Sequence, residues 1–276
     1  MITIEDRVSS HYTTDNLLDR IKQALVAAGV DPSQPTPSDL KPVDEFHTGG
    51  LEATEALLSQ LDITSQTRVL DIGCGLGGTA RLIADRYGAS VTAFDLTSDY
   101  VTTARALTAM VGLEADFRTG SALDMPVEAA SADLATMFHV GMNIEDKARL
   151  MAEAARVLAP GGTFALFDVM RVGEGELTFP FPWAEEAGFS FVDTPETYRN
   201  AASATGLALS QERERGAFAL DFFDRVFAVI QANGGPPPIG IHLLMRETAG
   251  QKIQNYVAAV KAGLIAPVEM IFRKAG

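Results

Sequence analysis

Between Thr67 and Asp168 the chain alternates short apolar, branched runs with longer segments whose apolar residues recur at helical spacing. That alternation is the signature of a βαβ chain, in which crossover helices join parallel strands. The runs are residues 68–72 (RVLDI), 90–95 (SVTAFD), 115–119 (ADFRT), 132–138 (ADLATMF) and 162–168 (GTFALFD). They read as nearly continuous apolar stretches, as expected of strands covered by helices on both faces. Between them, Thr79 to Arg86, Asp99 to Val111 and Asp146 to Leu158 carry the helical pattern.

Ahead of this unit, residues 1–62 read as a helical cover: a helix from Asp15 to Ala28 capped by Thr14 or Asp15, a proline-bearing stretch from Asp31 to Asp44, and a helix from Leu51 to Leu61. Residues 63–276 form the main domain. Within it, residues 173–193 are rich in glycine, proline and aromatics and read as an inserted lid. A helix follows over Pro195 to Thr205, then helical additions at 217–263, with patterns over Phe218 to Ala232 and Ile241 to Gly263. They are separated by NGGPPPIG, which is neither helix nor central strand, because its prolines lack amide donors. GLALSQER and PVEMIFRK complete the sheet.

The chain has 276 residues and is 47% hydrophobic, enough for one large domain with a substantial core. Lys and Arg number 22 against 36 Asp and Glu, a net charge of −14 without cationic clusters. Such a field repels phosphate backbones and anionic lipid, so nucleic acid and membrane are poor partners. Cys74 is the only cysteine, which excludes an internal disulfide and fits a reducing cytosol. The start, MITIEDRVSS, lacks the basic and apolar regions of a secretory signal, so the expected location is cytoplasmic.

The first strand runs into Asp71-Ile72-Gly73-Cys74-Gly75-Leu76-Gly77-Gly78 and then a helix, presenting bare backbone amides at a helix N-terminus. Asp95 ends the next strand, where a carboxylate can accept from both hydroxyls of a ribose. Glycines 73, 75 and 78 satisfy G-x-G-x-x-G, so a nicotinamide dinucleotide is one candidate ligand. Asp71 argues for another. An anion at the mouth of the loop suits a pyrophosphate poorly and a cation well, and S-adenosylmethionine carries a sulfonium and an ammonium.

With these residues in view, the chain resembles the class I S-adenosylmethionine-dependent methyltransferases over most of its length. VLDIGCGLGGTARLIA is similar to their cofactor loop, with Asp71, Gly73, Gly75 and Gly77 around the amino-acid end. VTAFDLT supplies the ribose acid Asp95 and places Leu96 against the adenine. GSALDMP resembles the adenine-contacting segment, with Ser121 where Asp is common, and makes Ser121 and Ala122 the candidate contacts. RVLAPGGTFALFD resembles the strand-five motif. The resemblance implies a Rossmann-like, doubly wound, mostly parallel α/β sheet of seven strands, the last antiparallel. Bacterial small-molecule methyltransferases of the glycine, sarcosine and dimethylglycine type are especially similar, and His47-Thr48-Gly49-Gly50 matches a His-x-Gly element that relatives place over the cofactor.

Methyl transfer is an in-line displacement, so the protein must mainly orient the acceptor and take a proton where one is lost. His139, at the end of the fourth strand, is the first candidate for a base or an acceptor-orienting group; the alternative is a neutral histidine packed under the next helix. Phe138 reads as a wall of the cofactor site or as core. Asn143, Tyr12, His47 and Trp183 are candidate substrate contacts, with competing readings as helix cap, free terminus, turn and lid glue. The lid rings Phe179, Phe181, Trp183, Phe189 and Phe191 suit a greasy or cationic acceptor. The four histidines are scattered, so no metal is expected. The acidic balance favours an amine acceptor, with O- or C-methylation of an apolar compound as the alternative and a dinucleotide oxidoreductase as the competing class. The partner expected is a small-molecule methyl acceptor, and the oligomeric state is left open.

Overall fold

A computed structural model describes residues 3–13, 16–245 and 248–276. Seven strands form one open sheet: β1 Arg68–Ile72, β2 Ser90–Asp95, β3 Asp116–Thr119, β4 Ala132–Phe138, β5 Leu158–Arg171, β6 Leu207–Glu214 and β7 Ile265–Lys274. Their order is β3-β2-β1-β4-β5-β7-β6, with β7 antiparallel to both of its neighbours and the other pairings parallel. The order reverses at β1, and that switch point opens a crevice at the strands' carboxyl ends.

Helices Gly78–Tyr87, Ser98–Met110 and Lys147–Val157 make the crossovers close to where the helical spacing places them. Asp146 caps the last of these by accepting from the Arg149 amide at 2.8 Å, a role the sequence also offered to Asn143. Phe164, Phe167 and Phe272 are wholly buried around the central strands, each worth roughly 1.5–3 kcal/mol of transfer free energy. Helices Gly216–Ala232 and Ala249–Lys261 join the lid through Phe181, Trp183, Phe223 and Tyr256 in one apolar cluster.

Two N-terminal elements depart from the sequence reading. The proline-bearing stretch contains a helix, Pro37–Asp44, started by proline at its first turn and a capping box between Thr36 and Asp39. The first residues form a helix, Ile4–Tyr12, with a capping box between Thr3 and Asp6. It buries none of its residues, yet Ile4, Val8 and Tyr12, one turn apart, all face the central cavity. The next helix is Leu17–Ala27; its expected caps Thr14 and Asp15 lie outside the described residues. Among the described residues, the long pattern from Ile241 onward contains the helices His242–Met245 and Ala249–Lys261. No described helix is long and apolar enough to cross a membrane.

Candidate active site

The crevice opens into a cavity of about 1160 Å³ bounded by the glycine loop, the end of β4, the first helix, the lid and the C-terminal helices. Sheet register builds its inner wall. Asp71 on β1 pairs with Thr136 on β4, so the Thr136 hydroxyl donates to Asp71 Oδ1 at 2.8 Å. The other carboxylate oxygen, Oδ2, is buried without a hydrogen-bond partner. Burial pushes this carboxyl up to about 7, more than the Thr136 hydrogen bond lowers it. A cation placed at Oδ2 would favour the carboxylate.

Beyond β1 the loop is tied to the neighbouring strand. The Cys74 amide donates to the Phe94 carbonyl at 2.9 Å, and the Gly75 amide to Asp95 Oδ2 at 2.9 Å. The Thr97 amide takes Asp95 Oδ1 at 2.8 Å, leaving further lone pairs on both oxygens. Burial raises the Asp95 carboxyl despite these bonds. Gly73 has φ +68°, and a Cβ there would collide with Val140; Gly75 has φ +53° and open space where a Cβ would point. Gly77 has φ +83°, and a Cβ there would strike Phe117. Burial pushes the Cys74 thiol up, against any nucleophilic use.

Leu96, Ala122 and Phe138 line the same region. Ser121 does not. Its hydroxyl turns away to Glu5 on the first helix and accepts from the Leu123 amide at 2.9 Å, so Ala122 and Leu123 face the cavity instead. The Ser121 side chain thus ties the first helix to the segment after β3.

His139 continues the ladder by one bond, its amide donating to the Phe167 carbonyl at 2.7 Å, and then adopts φ +52°. A left-handed histidine is uncommon, and this one turns its ring into the cavity. Its Nε2 is buried without a hydrogen-bond partner. Burial, followed by the charge of His47, holds the ring well below the ordinary histidine range and hence neutral.

The His47 ring lies 5.8 Å from that of His139 and 5.1 Å from that of Phe138. Its Nε2 meets Glu45 Oε2 at 2.9 Å, and the Thr54 hydroxyl donates to the same oxygen at 2.8 Å. Burial alone would raise Glu45, but the hydrogen bond and charge of His47, with Lys41 and Thr54, hold its carboxyl at about 2. A depressed carboxyl stabilises the fold above its unfolded pKa and loses that contribution as pH falls. Glu45→Gln is therefore expected to cost about 3 kcal/mol near neutrality. Urea unfolding should show the deficit shrinking as pH drops from 4.5 towards 2; a pH-independent deficit would refute it.

The remaining candidates meet from separate elements. The Tyr12 hydroxyl donates to Asn143 Oδ1 at 3.2 Å, joining the first helix to the loop after β4. His11 Nε2 lies 3.1 Å from the Pro182 carbonyl, and Arg7 sits 5.1 Å over the Phe189 ring, fixing the helix to the lid. Trp183 is stacked on Phe181 at 4.7 Å and donates to Ser190 Oγ at 2.9 Å, with part of its surface on the cavity. Phe179, Phe181, Phe189 and Phe191 do not line it; the first three pack in the apolar cluster shared with the C-terminal helices. Sequence reasoning missed Glu45, Thr136 and Tyr256. Glu45 stands two residues before His47, a spacing that could have suggested the pair; Thr136 and Tyr256 carry no sequence signal.

A doubly wound sheet in this order, with a glycine loop and two strand-end acids at its switch point, has the architecture of class I methyltransferases. Residues 70–166 match the family described as methyltransferase domain. Over 225 residues, 81% of its length, the chain is 26% identical to the glycine/sarcosine/dimethylglycine N-methyltransferase of Actinopolyspora halophila, covering 38% of that protein. It is 37% identical over 97 residues to the chloroplastic tocopherol O-methyltransferase of Arabidopsis thaliana, 34% of this chain and 28% of that one. The chain thus spans well under half the length of these curated relatives. It shares its fold with phosphoethanolamine N-methyltransferase 2 of Haemonchus contortus solved with S-adenosyl-L-methionine, at TM-score 0.73 and 16% identity, over 100% of this chain and 61% of that one.

Proposed function

We propose that this chain is an S-adenosylmethionine-dependent methyltransferase acting on a small molecule whose acceptor atom is a nitrogen or oxygen bearing a proton. The single observation that carries the reading is the Asp71 oxygen, buried and unpartnered beside a glycine loop that opens on the cavity. A diphosphate would be repelled there, whereas an ammonium would satisfy it. Asp71 holds the amino-acid end of the cofactor, Gly73 and Gly75 let its backbone neighbours approach, and Asp95 accepts from the ribose hydroxyls. Leu96, Ala122 and Phe138 wall the adenosine, and Gly77 supports the loop by close packing.

When bound, S-adenosylmethionine supplies a methyl group made electrophilic by its sulfonium. The chain's own residues do the rest. His139 presents a neutral, unpaired Nε2 that can accept the acceptor's proton. His47 packs beside it, held by Glu45, and Tyr12, Asn143 and Trp183 shape the space next to the acceptor. The first helix and lid exclude water. The N-methyltransferase relative supports nitrogen and the tocopherol relative supports oxygen.

The test supplies methyl-labelled S-adenosylmethionine with panels of amines, phenols, quinols and carboxylates. Label is expected in a small-molecule product. Tight NAD binding by calorimetry, with no S-adenosylmethionine binding, would end the proposal.

A further inference from the structure

Away from the glycine loop the cavity continues between the helix Gly216–Ala232, the loop after it and the helix Ala249–Lys261. Phe222, Phe223, Val226, Ile230, Pro236 and Ile253 wall this outer chamber. It runs out to a rim where Phe227 is 38% and Val229 56% exposed, large apolar side chains left in contact with water. The whole cavity, about 1160 Å³, exceeds the roughly 300–1,000 Å³ of a pocket for one drug-sized ligand. The cavity therefore extends beyond a pocket for one such ligand.

Charge narrows the acceptor further. Among the described residues that line the cavity, Lys41 is paired with Glu45 at 3.5 Å, and Arg225 with Asp221 and Glu52 at 2.6 and 2.7 Å. Burial and the charge of Arg20 lower the pKa of His242, which disfavours its cationic form. No described lining cation is free to receive a carboxylate, and an anion placed among Phe222, Val226 and Ile253 would be desolvated without compensation. An apolar body gains there instead, at about fourfold in affinity for each methylene buried.

We infer that the outer chamber binds an uncharged, predominantly apolar acceptor, with its proton-bearing atom at the His139 end and its body extending to the Phe227 rim. This rests on the methyl-transfer reading and specifies its substrate class. It also separates this chamber from one shaped for a zwitterion such as glycine.

The experiment titrates the neutral fluorophore N-phenyl-1-naphthylamine into protein loaded with S-adenosylhomocysteine. One probe is expected to bind per chain without displacing the nucleoside. Val226→Asp, and independently Ile230→Asp, should weaken the probe at least tenfold while S-adenosylhomocysteine affinity, which also reports folding, stays within twofold. In a series of alkyl-substituted phenols and anilines, both uncharged near neutrality, kcat/KM should climb with alkyl length, and glycine and sarcosine should be poorer acceptors than any of them. Absence of probe binding, displacement of the nucleoside by the probe, indifference to both aspartate variants, or preference for glycine and sarcosine would each overturn the inference. Failure of the underlying reading looks different: S-adenosylhomocysteine itself would not bind.

Discussion

Asp71→Asn is expected to weaken S-adenosylmethionine binding by about two to three and a half orders of magnitude while leaving the fold intact. The asparagine amide can keep the hydrogen bond from Thr136, since its oxygen replaces Oδ1 at the same β1–β4 register. What it removes is the charge facing the cationic end of the ligand. Taking one partner from a buried charge pair costs about 3–5 kcal/mol, and each 1.4 kcal/mol is roughly a factor of ten.

The pH dependence of that binding supplies a second signature of the same group. With its carboxyl pushed up to about 7 in the ligand-free protein, Asp71 takes up a proton below that pH. Wild-type affinity should then fall close to tenfold per unit as pH drops below about 7. It should fall again above roughly 8 as the ligand's amino group loses its proton. Asp71→Asn removes the acid limb and keeps the alkaline one. Calorimetry of both proteins across this range checks the claim, and an unchanged acid limb in the variant would exclude Asp71 as the ammonium partner.

His139→Asn is expected to lower kcat by roughly a hundred- to ten-thousandfold, the usual worth of a positioned proton acceptor. Asparagine is the informative replacement because it tolerates the left-handed backbone that His139 adopts at φ +52°. Stability and S-adenosylmethionine affinity should therefore change little. If His139 only packs against Phe167, 5.1 Å away between ring centroids, the variant would keep most of its kcat, and the base would have to be sought elsewhere. A deeper loss for oxygen acceptors than for amines that are already deprotonated would tie the effect to proton removal.

Local pattern and global topology contributed differently to what could be read in advance. The strands β1, β2 and β4 fall on the residues expected of them because a parallel strand buried on both faces must be apolar throughout, a property visible in any short window. The glycine loop was legible for a similar reason: its φ values and close contacts restrict residue choice at fixed spacing. The helix Pro37–Asp44 was obscured because its prolines read as breakers, although one of them sits in the first turn, where its missing amide donor costs nothing.

Ser121 illustrates the limit on the site. Its place within the segment that resembles an adenine contact follows from sequence, yet its hydroxyl goes to Glu5, 116 residues earlier in the chain. The pairing of Tyr12 with Asn143 spans 131 residues, and neither partner announces the other.

The positions of β1, β2 and β4, the glycine turn and the two acids at its edges are thus encoded in neighbouring residues, since backbone geometry and burial act over a few positions at a time. The shape and charge of the acceptor chamber are not. They arise where the first helix, the lid and the helices Gly216–Ala232 and Ala249–Lys261 converge, and where Arg225 meets Glu52 from a distant part of the chain. Only folding brings those groups within the few ångströms over which desolvation and pairing decide what can bind.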